Sequence, residues 1–405
     1  MKKEKRVWLI SEAFYPEESG GAHYMTKLAE GLSKVFAVHV ICGYPQTINN
    51  SLQKRMNMDG VTIERCYGTA FDKTNIFLRL VNVLTISISM FVKALFNIGR
   101  RDTVIVLTAP PALPFVVSAA RFLRRFKLIL RIDDVYPEAM IAAGLIGKEN
   151  RITRIMHWLT SLLYGHVDRI IVLGRDMKQL AENKIKNNFD KITIINNWAD
   201  LDIVAPKPRS ESVLLAELGL MDKFVVVCAG NMGLAQDIEN MFMAAELLKE
   251  KDNIHFLFIG SGVKRKWMEN EVCNKKLRNI TILDQRPRLD QRNFLNACDI
   301  AMISLKNGMK GAGVPSRMYN IMAVGKPIIA ISEFDSELSL VVEEEDIGWV
   351  VSPGNSDQLA KAIIDAHSKR NELIEVGRRA HIVANSKYSP KVQMSKYHQM
   401  LNEFS

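Results

Sequence analysis

The sequence predicts an α/β protein made of two doubly wound parallel-sheet domains, and three observations carry that prediction. Short apolar runs rich in β-branched residues alternate with amphipathic stretches along the chain, the trace left by parallel strands joined through crossover helices. The 405 residues, 48% hydrophobic and 24% charged, suffice for two cores at about 100 to 200 residues per domain. The alternation is interrupted near mid-chain by Asn196-Asn197-Trp198-Ala199-Asp200 and a stretch holding Pro206 and Pro208, which reads as a linker.

Taken in order, the first-half runs are Arg6–Ser11, Ala37–Cys42, Val61–Cys66, Thr103–Leu107, Leu128–Ile132, Arg169–Leu173 and Ile192–Ile195. The second half has Phe224–Ala229, Ile254–Ile259, Ile280–Leu283, Ile300–Ser304, Ile328–Ile331 and Trp349–Val351. Each is too short for a helix and is read as a strand. A helix is expected over Tyr24–Ser33, another from Pro315 to its stop at Gly325, and three more over Asp357–His367, Asn371–Ala384 and Pro390–Phe404.

The stretch Ile76–Phe96 is long enough to span a bilayer as a helix, but its polar residues form a stripe. Asn75, Arg79, Asn82, Ser89, Lys93 and Asn97 share one narrow face. With Leu80, Leu84, Phe91 and Leu95 outward and the basic stripe at headgroups, the helix lies in a membrane interface; buried in the protein, it is core.

Charge is unevenly placed. The net +10 resides wholly in residues 1 to 200, which hold 28 Lys and Arg against 18 Asp and Glu. Between Asn75 and Arg131 nine basic residues, Arg121, Arg124 and Arg125 among them, meet one acid, Asp102. Mixed with long apolar runs, this charge fits an anionic lipid surface; a solvated basic face is the plainer alternative. No helix-turn-helix, zinc-finger or RNP pattern accompanies it, so nucleic acid is not the expected partner. Five scattered cysteines without a Cys-x-x-Cys pair exclude a disulfide framework or zinc module and point to a reducing compartment. No secretory signal is read at the N-terminus.

In open parallel sheets ligands sit at the carboxyl ends of strands, so the turns there matter most. The first strand is followed by Ser19-Gly20-Gly21, where two glycines before a helix leave free amides for an anionic diphosphate or simply make a turn. In the second half come Gly230-Asn231-Met232-Gly233 and Gly260-Ser261-Gly262 with Lys264. Neither completes the dinucleotide fingerprint G-x-G-x-x-G, which argues against an oxidoreductase. The richest turn contains Pro315-Ser316-Arg317. Its amides and guanidinium fork suit a diphosphate without a metal, and Asn320 one turn later suits a ribose. A solvated Arg317 behind an N-terminal proline is the alternative.

These pieces together resemble the retaining nucleotide-sugar glycosyltransferases of family 4. The resemblance rests on Ser19-Gly20-Gly21, Asp134-Val135-Tyr136-Pro137-Glu138, Ile195 to Asp200, Gly230-Asn231-Met232-Gly233, and Pro315-Ser316-Arg317 with Ala323-x-Gly325-x-Pro327, in that order along the chain. It is nearest the subgroup of bacterial O-antigen and capsule fucosamine-type transferases. It implies a GT-B fold, two Rossmann-like domains facing a central cleft. Residues 1–200 would bind the acceptor and face the membrane, 201–385 would bind the donor, and the C-terminal helix in 386–405 would pack back toward the first domain. Two departures stand out: the family's Glu-x7-Glu pair falls here on Ala312 and Asn320, and its Arg and Lys pair after the first C-terminal strand is missing.

The implied chemistry is hexosyl or N-acetylhexosaminyl transfer with retention, without cofactor or metal. The donor would be a nucleotide-diphosphate sugar carrying UDP, and the acceptor a polyprenyl-diphosphate-linked glycan. The expected location is the cytoplasmic face of the cell membrane, held peripherally. Donor-binding expectations fall on Gly20, Gly21, Asn231, Gly233, Lys264, Pro315, Ser316, Arg317 and Asn320. Asp133, Asp134 and Glu138, which follow a strand, are expected to orient the acceptor or balance positive charge, with His23 near the diphosphate. Asp134 as a helix cap and His23 as an ordinary surface residue are the plainer alternatives. The departures leave one rival, a catalytically silent GT-B subunit that partners another transferase.

Overall fold

In the computed structural model, which describes residues 5–45, 58–69, 71, 76–185 and 187–403, the chain forms two compact units. The first comprises Met1–Pro137, Glu149–Ile195 and Met394–Ser405; the second, Glu138–Lys148 and Asn196–Gln393. The division therefore falls at Ile195/Asn196 rather than at residue 200, and the short segment after Pro137 joins the second unit.

The first unit holds seven strands, β1 (Arg6–Ile10), β2 (Ala37–Gly43), β3 (Val61–Cys66), β4 (Thr103–Leu107), β5 (Lys127–Arg131), β6 (Arg169–Val172) and β7 (Ile192–Ile194). They form one parallel sheet in the order β3-β2-β1-β4-β5-β6-β7. The second unit has β8 (Phe224–Ala229), β9 (Ile254–Ile259), β10 (Ile280–Leu283), β11 (Ile300–Ser304), β12 (Ile328–Ile331) and β13 (Gly348–Val351), ordered β10-β9-β8-β11-β12-β13 and again all parallel. Every expected strand is present. Their continuous apolar character has a simple cause: helices cover both faces, so a residue on either side of the pleat is buried, as β4, β9 and β11 are throughout. Strand order reverses between β1 and β4 and between β8 and β11, so each sheet opens a crevice there at its carboxyl edge.

Four helices of the first unit matter for function. Helix α1 (Gly20–Ser33) is capped by Ser19, whose Oγ accepts from the Ala22 amide. Helix α2 spans Ile76–Asn97. Helix α3 (Leu113–Arg124) has Pro114 in its first turn and stops at Arg125 in the left-handed region, φ 56°. Helix α4 (Arg151–His166) starts at Asn150, whose side chain accepts from the Ile152 amide. The end of the helix Pro390–Glu403 belongs to this unit as well, with Tyr397 and Leu401 buried and the Leu401 carbonyl accepting from Lys5.

Helix α2 corrects one expectation. Its polar stripe turns toward the protein: Asn82 accepts from Thr69 Oγ1 at 2.8 Å and the Phe71 amide at 2.9 Å, while Lys93 pairs with Glu64 at 2.7 Å. Ile86, Met90 and Ala94 are core. The face left outward is apolar, with Phe77, Leu84, Ile88, Val92 and Phe96 exposed, whereas Phe91 and Leu95 are half-buried. Satisfying Asn82 and Lys93 against Thr69, Phe71 and Glu64 decides the roll of the helix. Asn75 and the side chains of Arg79 and Leu80 lie outside the described residues.

In the second unit, the helices Ile238–Leu247 and Ser356–Ser368 pack onto a core containing Phe224, Val226, Phe256, Phe258 and Met302. Helix α5 (Arg317–Ala323) is short and ends before Gly325, φ 68°. Just beyond it, a Cβ on Gly377 would stand 2.0 Å from the Gly325 carbonyl oxygen, so only two glycines allow these backbones to meet.

Candidate active site

In the second unit, the carboxyl ends of β8 and β9 are joined by close backbone contacts. The Gly230 amide donates to Ile259 O at 2.8 Å, Met232 to Ser261 O at 2.7 Å, and Lys264 to Met232 O at 3.0 Å. This approach requires glycine. Gly260 has φ 154°, and a Cβ there would lie 1.9 Å from Gly230 O; on Gly262, φ 142°, it would lie 2.5 Å from Met232 O. Asn231 folds over the same turn, its Nδ2 2.8 Å from where a Gly233 Cβ would be.

The cations at this edge differ in what they do. Arg317, half-buried at the start of α5, donates from Nη1 to Ala229 O at 3.0 Å and lays its guanidinium 3.0 to 3.3 Å from where a Gly230 Cβ would project. Among the described residues it has no carboxylate partner. Lys264 is ion-paired with Glu239 and stands 6.0 Å from the Trp267 ring centroid. Its charge is largely answered locally, and the pair draws the Glu239 carboxyl below the ordinary range against an opposing effect of burial. Pro315 and Ser316 precede Arg317 half-buried on the same turn.

Asn320 is placed differently from expectation. It is 4% exposed, accepts from the Asp200 amide at 2.8 Å and donates to Gln291 Oε1 at 2.6 Å. The oxygen of its carboxamide thus fastens the buried Asn196–Asp200 segment to α5, and the nitrogen ties α5 to Gln291. This stands against its expected role as a ribose ligand.

A concavity of about 640 Å³ in the second unit is not at these turns. It lies at the amino edge of the sheet, where Asp299 and Pro327 precede β11 and β12, and is lined there by Arg209, Lys326 and Arg370. Arg209 and Arg370 converge on Asp299 at 3.3 and 2.9 Å, a structural ion-pair cluster.

The first unit holds the remaining candidate residues. A Cβ on Gly20 or Gly21 would meet nothing within 4 Å, and these residues open α1, so their amides have no carbonyl acceptor in a preceding turn. His23, half-buried, lies edge-on to Tyr24 with centroids 5.7 Å apart. After β5, Thr108 Oγ1 accepts from the amides of Asp133 at 3.2 Å and Asp134 at 3.4 Å, tying the acidic turn to the end of β4. Asp133 pairs at 3.1 Å with Arg131, whose side chain is 1% exposed. Burial, reinforced by the charge of Asp133, pushes the Asp134 carboxyl up to about 6. Asp133 is thus tied to its arginine, while its neighbour Asp134 can exchange a proton near neutrality, as acid–base work requires.

Glu138 does not join them in this unit: it starts the helix Glu138–Ala142 in the segment that packs with the second unit. Sequence reasoning also missed Arg131 and Thr108. Arg131 was counted among surface cations, yet its inward strand position between Leu130 and Ile132, two residues before an acid, marks it as the acid's buried counter-ion. No cluster of three or more His, Cys, Asp or Glu side chains able to hold a metal occurs among the described residues.

Two parallel α/β units, each with glycines at the strand-order reversal of its sheet, define the GT-B class. The chain belongs to the group 1 glycosyltransferases. Residues 214–385 match the family model for glycosyl transferases group 1. A probable glycosyltransferase of Pseudomonas aeruginosa, WbjE, is 32% identical over 307 residues, 76% of each chain. A putative colanic acid biosynthesis glycosyl transferase of Escherichia coli, WcaI, is 25% identical over 376 residues, 87% of this chain and 90% of the relative. Among solved structures, Anabaena HepE in complex with UDP and glucose superposes with a TM-score of 0.76 at 14% identity, over 99% of this chain and 100% of its own. WaaG, a glycosyltransferase involved in lipopolysaccharide biosynthesis, gives 0.70 at 10% identity, over 96% and 98%.

Proposed function

We propose that the protein transfers a hexosyl or N-acetylhexosaminyl group, with retention, from a UDP-sugar to a polyprenyl-diphosphate-linked acceptor in bacterial surface-polysaccharide synthesis. The observation that carries the donor half is Arg317: a guanidinium against a glycine turn at the sheet's reversal point, with no acid to neutralise it among the described residues. HepE, which is similar in fold, was solved with UDP and with UDP-glucose, which supports uridine diphosphate as the carrier. The names of WbjE and WcaI, the latter tied to colanic acid, support a surface polysaccharide as the product.

In this reading the anomeric carbon–oxygen bond to the diphosphate breaks as the acceptor hydroxyl bonds from the same face, and the hydroxyl proton passes to the departing diphosphate oxygen. Arg317, with the Asn231–Gly233 and Pro315–Ser316 turns, receives the developing charge; a single such donor is worth about 3 to 4 kcal/mol. Gly20 and Gly21 give close backbone approach beside His23. Asp133 and Asp134 orient the acceptor hydroxyl, and Arg131 sets Asp133. The chemistry asks nothing of a metal ion.

The acceptor half rests on the helices of the first unit. Together α2, α3 and α4 contain Arg79, Lys93, Arg121, Arg124, Arg151 and Arg154 and not one Asp or Glu. They expose Phe77 by 75%, Phe96 by 74%, Phe122 by 85% and Trp158 by 63%. An apolar, acid-free surface of this extent suits anionic lipid. No helix among the described residues is long and apolar enough to cross a membrane, consistent with peripheral docking on the inner face.

Thermal stabilisation and hydrolysis measured with UDP-, GDP- and dTDP-sugars test the reading. Stabilisation by UDP-sugars supports it; a folded protein that answers to none is the silent subunit instead.

A further inference from the structure

The exposed face of the first unit is not uniformly flat. Between α3 and α4 lies a groove of about 620 Å³, within the range of about 300 to 1,000 Å³ that small-molecule sites occupy. Phe115, Phe122, Phe126, Leu159, Leu162 and Leu163 line it. A second cavity of about 70 Å³ shares Phe115, Leu159 and Leu163 with it and continues to Thr108, Pro111 and Tyr136. The two therefore adjoin and mark out a path along α3 and α4. Phe126 and His166 lie just ahead of β5 and β6, at the amino edge of the sheet, while Thr108 and Tyr136 lie at its carboxyl edge. Thr108 is also the residue that anchors the Asp133–Asp134 turn.

We infer that this path binds the hydrocarbon chain of the lipid-linked acceptor and so delivers the saccharide head to the acidic turn. The inference rests on the transferase reading above and adds the place where the acceptor's tail is held. Three features choose this occupant. The inner cavity is too small for a helix of a partner protein but admits a slender methyl-branched chain next to its head. The helices on both sides are free of acids, so an occupant that is apolar along its length and anionic at its head meets no repulsion from them. At the outer end Arg125, fixed in a left-handed turn, has no acid partner among the described residues and faces an anionic leaflet without competition. Arg121 on the same rim is not available: it donates to the Phe126 and His166 carbonyls and pairs with Asp168 at 2.8 Å, closing the bottom of the groove.

Ala119 is exposed on the groove wall, so a large side chain there fills the groove without disturbing the core. The test compares inorganic pyrophosphate, geranyl diphosphate and farnesyl diphosphate by calorimetry on the full chain, in wild type, Ala119→Trp and a second blocking variant, Ser118→Phe. Wild type is expected to bind farnesyl at least tenfold more tightly than geranyl diphosphate and pyrophosphate least. Both variants are expected to lose that dependence on chain length while keeping the wild-type circular dichroism spectrum and melting temperature, which certify the fold. Indifference of wild type to chain length overturns the inference, as does a dependence that survives both variants or an equal loss of all three probes. Failure of every nucleotide sugar to bind would instead strike the donor reading and leave the chain-length result standing.

Discussion

Arg317→Ala separates a role in binding from a role in folding. In the structure the guanidinium makes one hydrogen bond to the protein, to Ala229 O at 3.0 Å, from a half-exposed position, so its removal should cost about 0.5 to 1.5 kcal/mol of stability. A charge-assisted contact with a diphosphate is worth about 1.5 to 3 kcal/mol, and its loss should weaken UDP binding roughly 10- to 150-fold. Calorimetric titration with UDP and a thermal melt on the same preparation read both quantities. Arg317→Lys keeps the charge and loses the fork, and should fall between wild type and alanine. Lys264→Ala, which breaks a pair already closed by Glu239, should shift UDP affinity less than Arg317→Ala. Unchanged affinity in Arg317→Ala, with the fold intact, would refute the placement of the diphosphate at this turn.

Other perturbations reach different parts of the molecule. Because the folded Asp134 carboxyl titrates at about 6, above its ordinary value of 3.8, the folded state binds the extra proton between these values. Stability should therefore fall as pH rises from about 4 to about 6 and level off above, and Asp134→Asn should flatten that slope in denaturant titrations while reducing transfer. Gly260→Ala places a Cβ 1.9 Å from Gly230 O and should destabilise by on the order of 3 kcal/mol, whereas Gly20→Ala, with nothing within 4 Å, should leave the melt unchanged or slightly raised. The double change Phe96→Ser and Phe122→Ser should release the protein from anionic vesicles in a sedimentation assay without altering UDP binding. Raising salt should weaken vesicle binding by wild type, since attraction to the leaflet decays over about 10 Å at 0.1 M.

The strands were legible because burial on both faces leaves an uninterrupted apolar run, a signal that needs no knowledge of the neighbours. Glycine turns were legible for a similar reason: their position after a strand follows from chain order alone. What the sequence withheld depended on partners far along the chain. The wheel of α2 arranged its polar residues on one stripe correctly, but only Glu64, Thr69 and Phe71 determine that the stripe faces inward. Asn320 occupies the position of a family ribose ligand, yet the backbone of Asp200, 120 residues away, claims its side chain. Counting Arg131 with the surface cations ignored that a buried arginine needs an acid, and the acid was already in view two positions on.

That last error bears on how the acidic turn works. A buried arginine without a partner is costly, so the Arg131–Asp133 pair is retained by the fold whether or not substrate is bound. The pair holds Asp133 in place beside Asp134, and the charge of Asp133 is the second cause, after burial, of the raised Asp134 carboxyl. Arg131 therefore bears on the Asp134 proton by way of Asp133. Arg131→Met would leave Asp133 unpaired, and breaking a buried pair from one side costs about 3 to 5 kcal/mol. Replacing Arg131 and Asp133 together by Met and Asn removes both charges and should recover part of that loss. In the double variant the Asp134 titration should move down toward its ordinary value, because the neighbouring charge is gone while burial remains. Carbon-13 NMR of the Asp134 carboxyl across pH 4 to 8 follows it directly. An Asp134 titration that stays near 6 in the double variant would mean that burial alone sets it, and would remove Arg131 and Asp133 from the acid–base account.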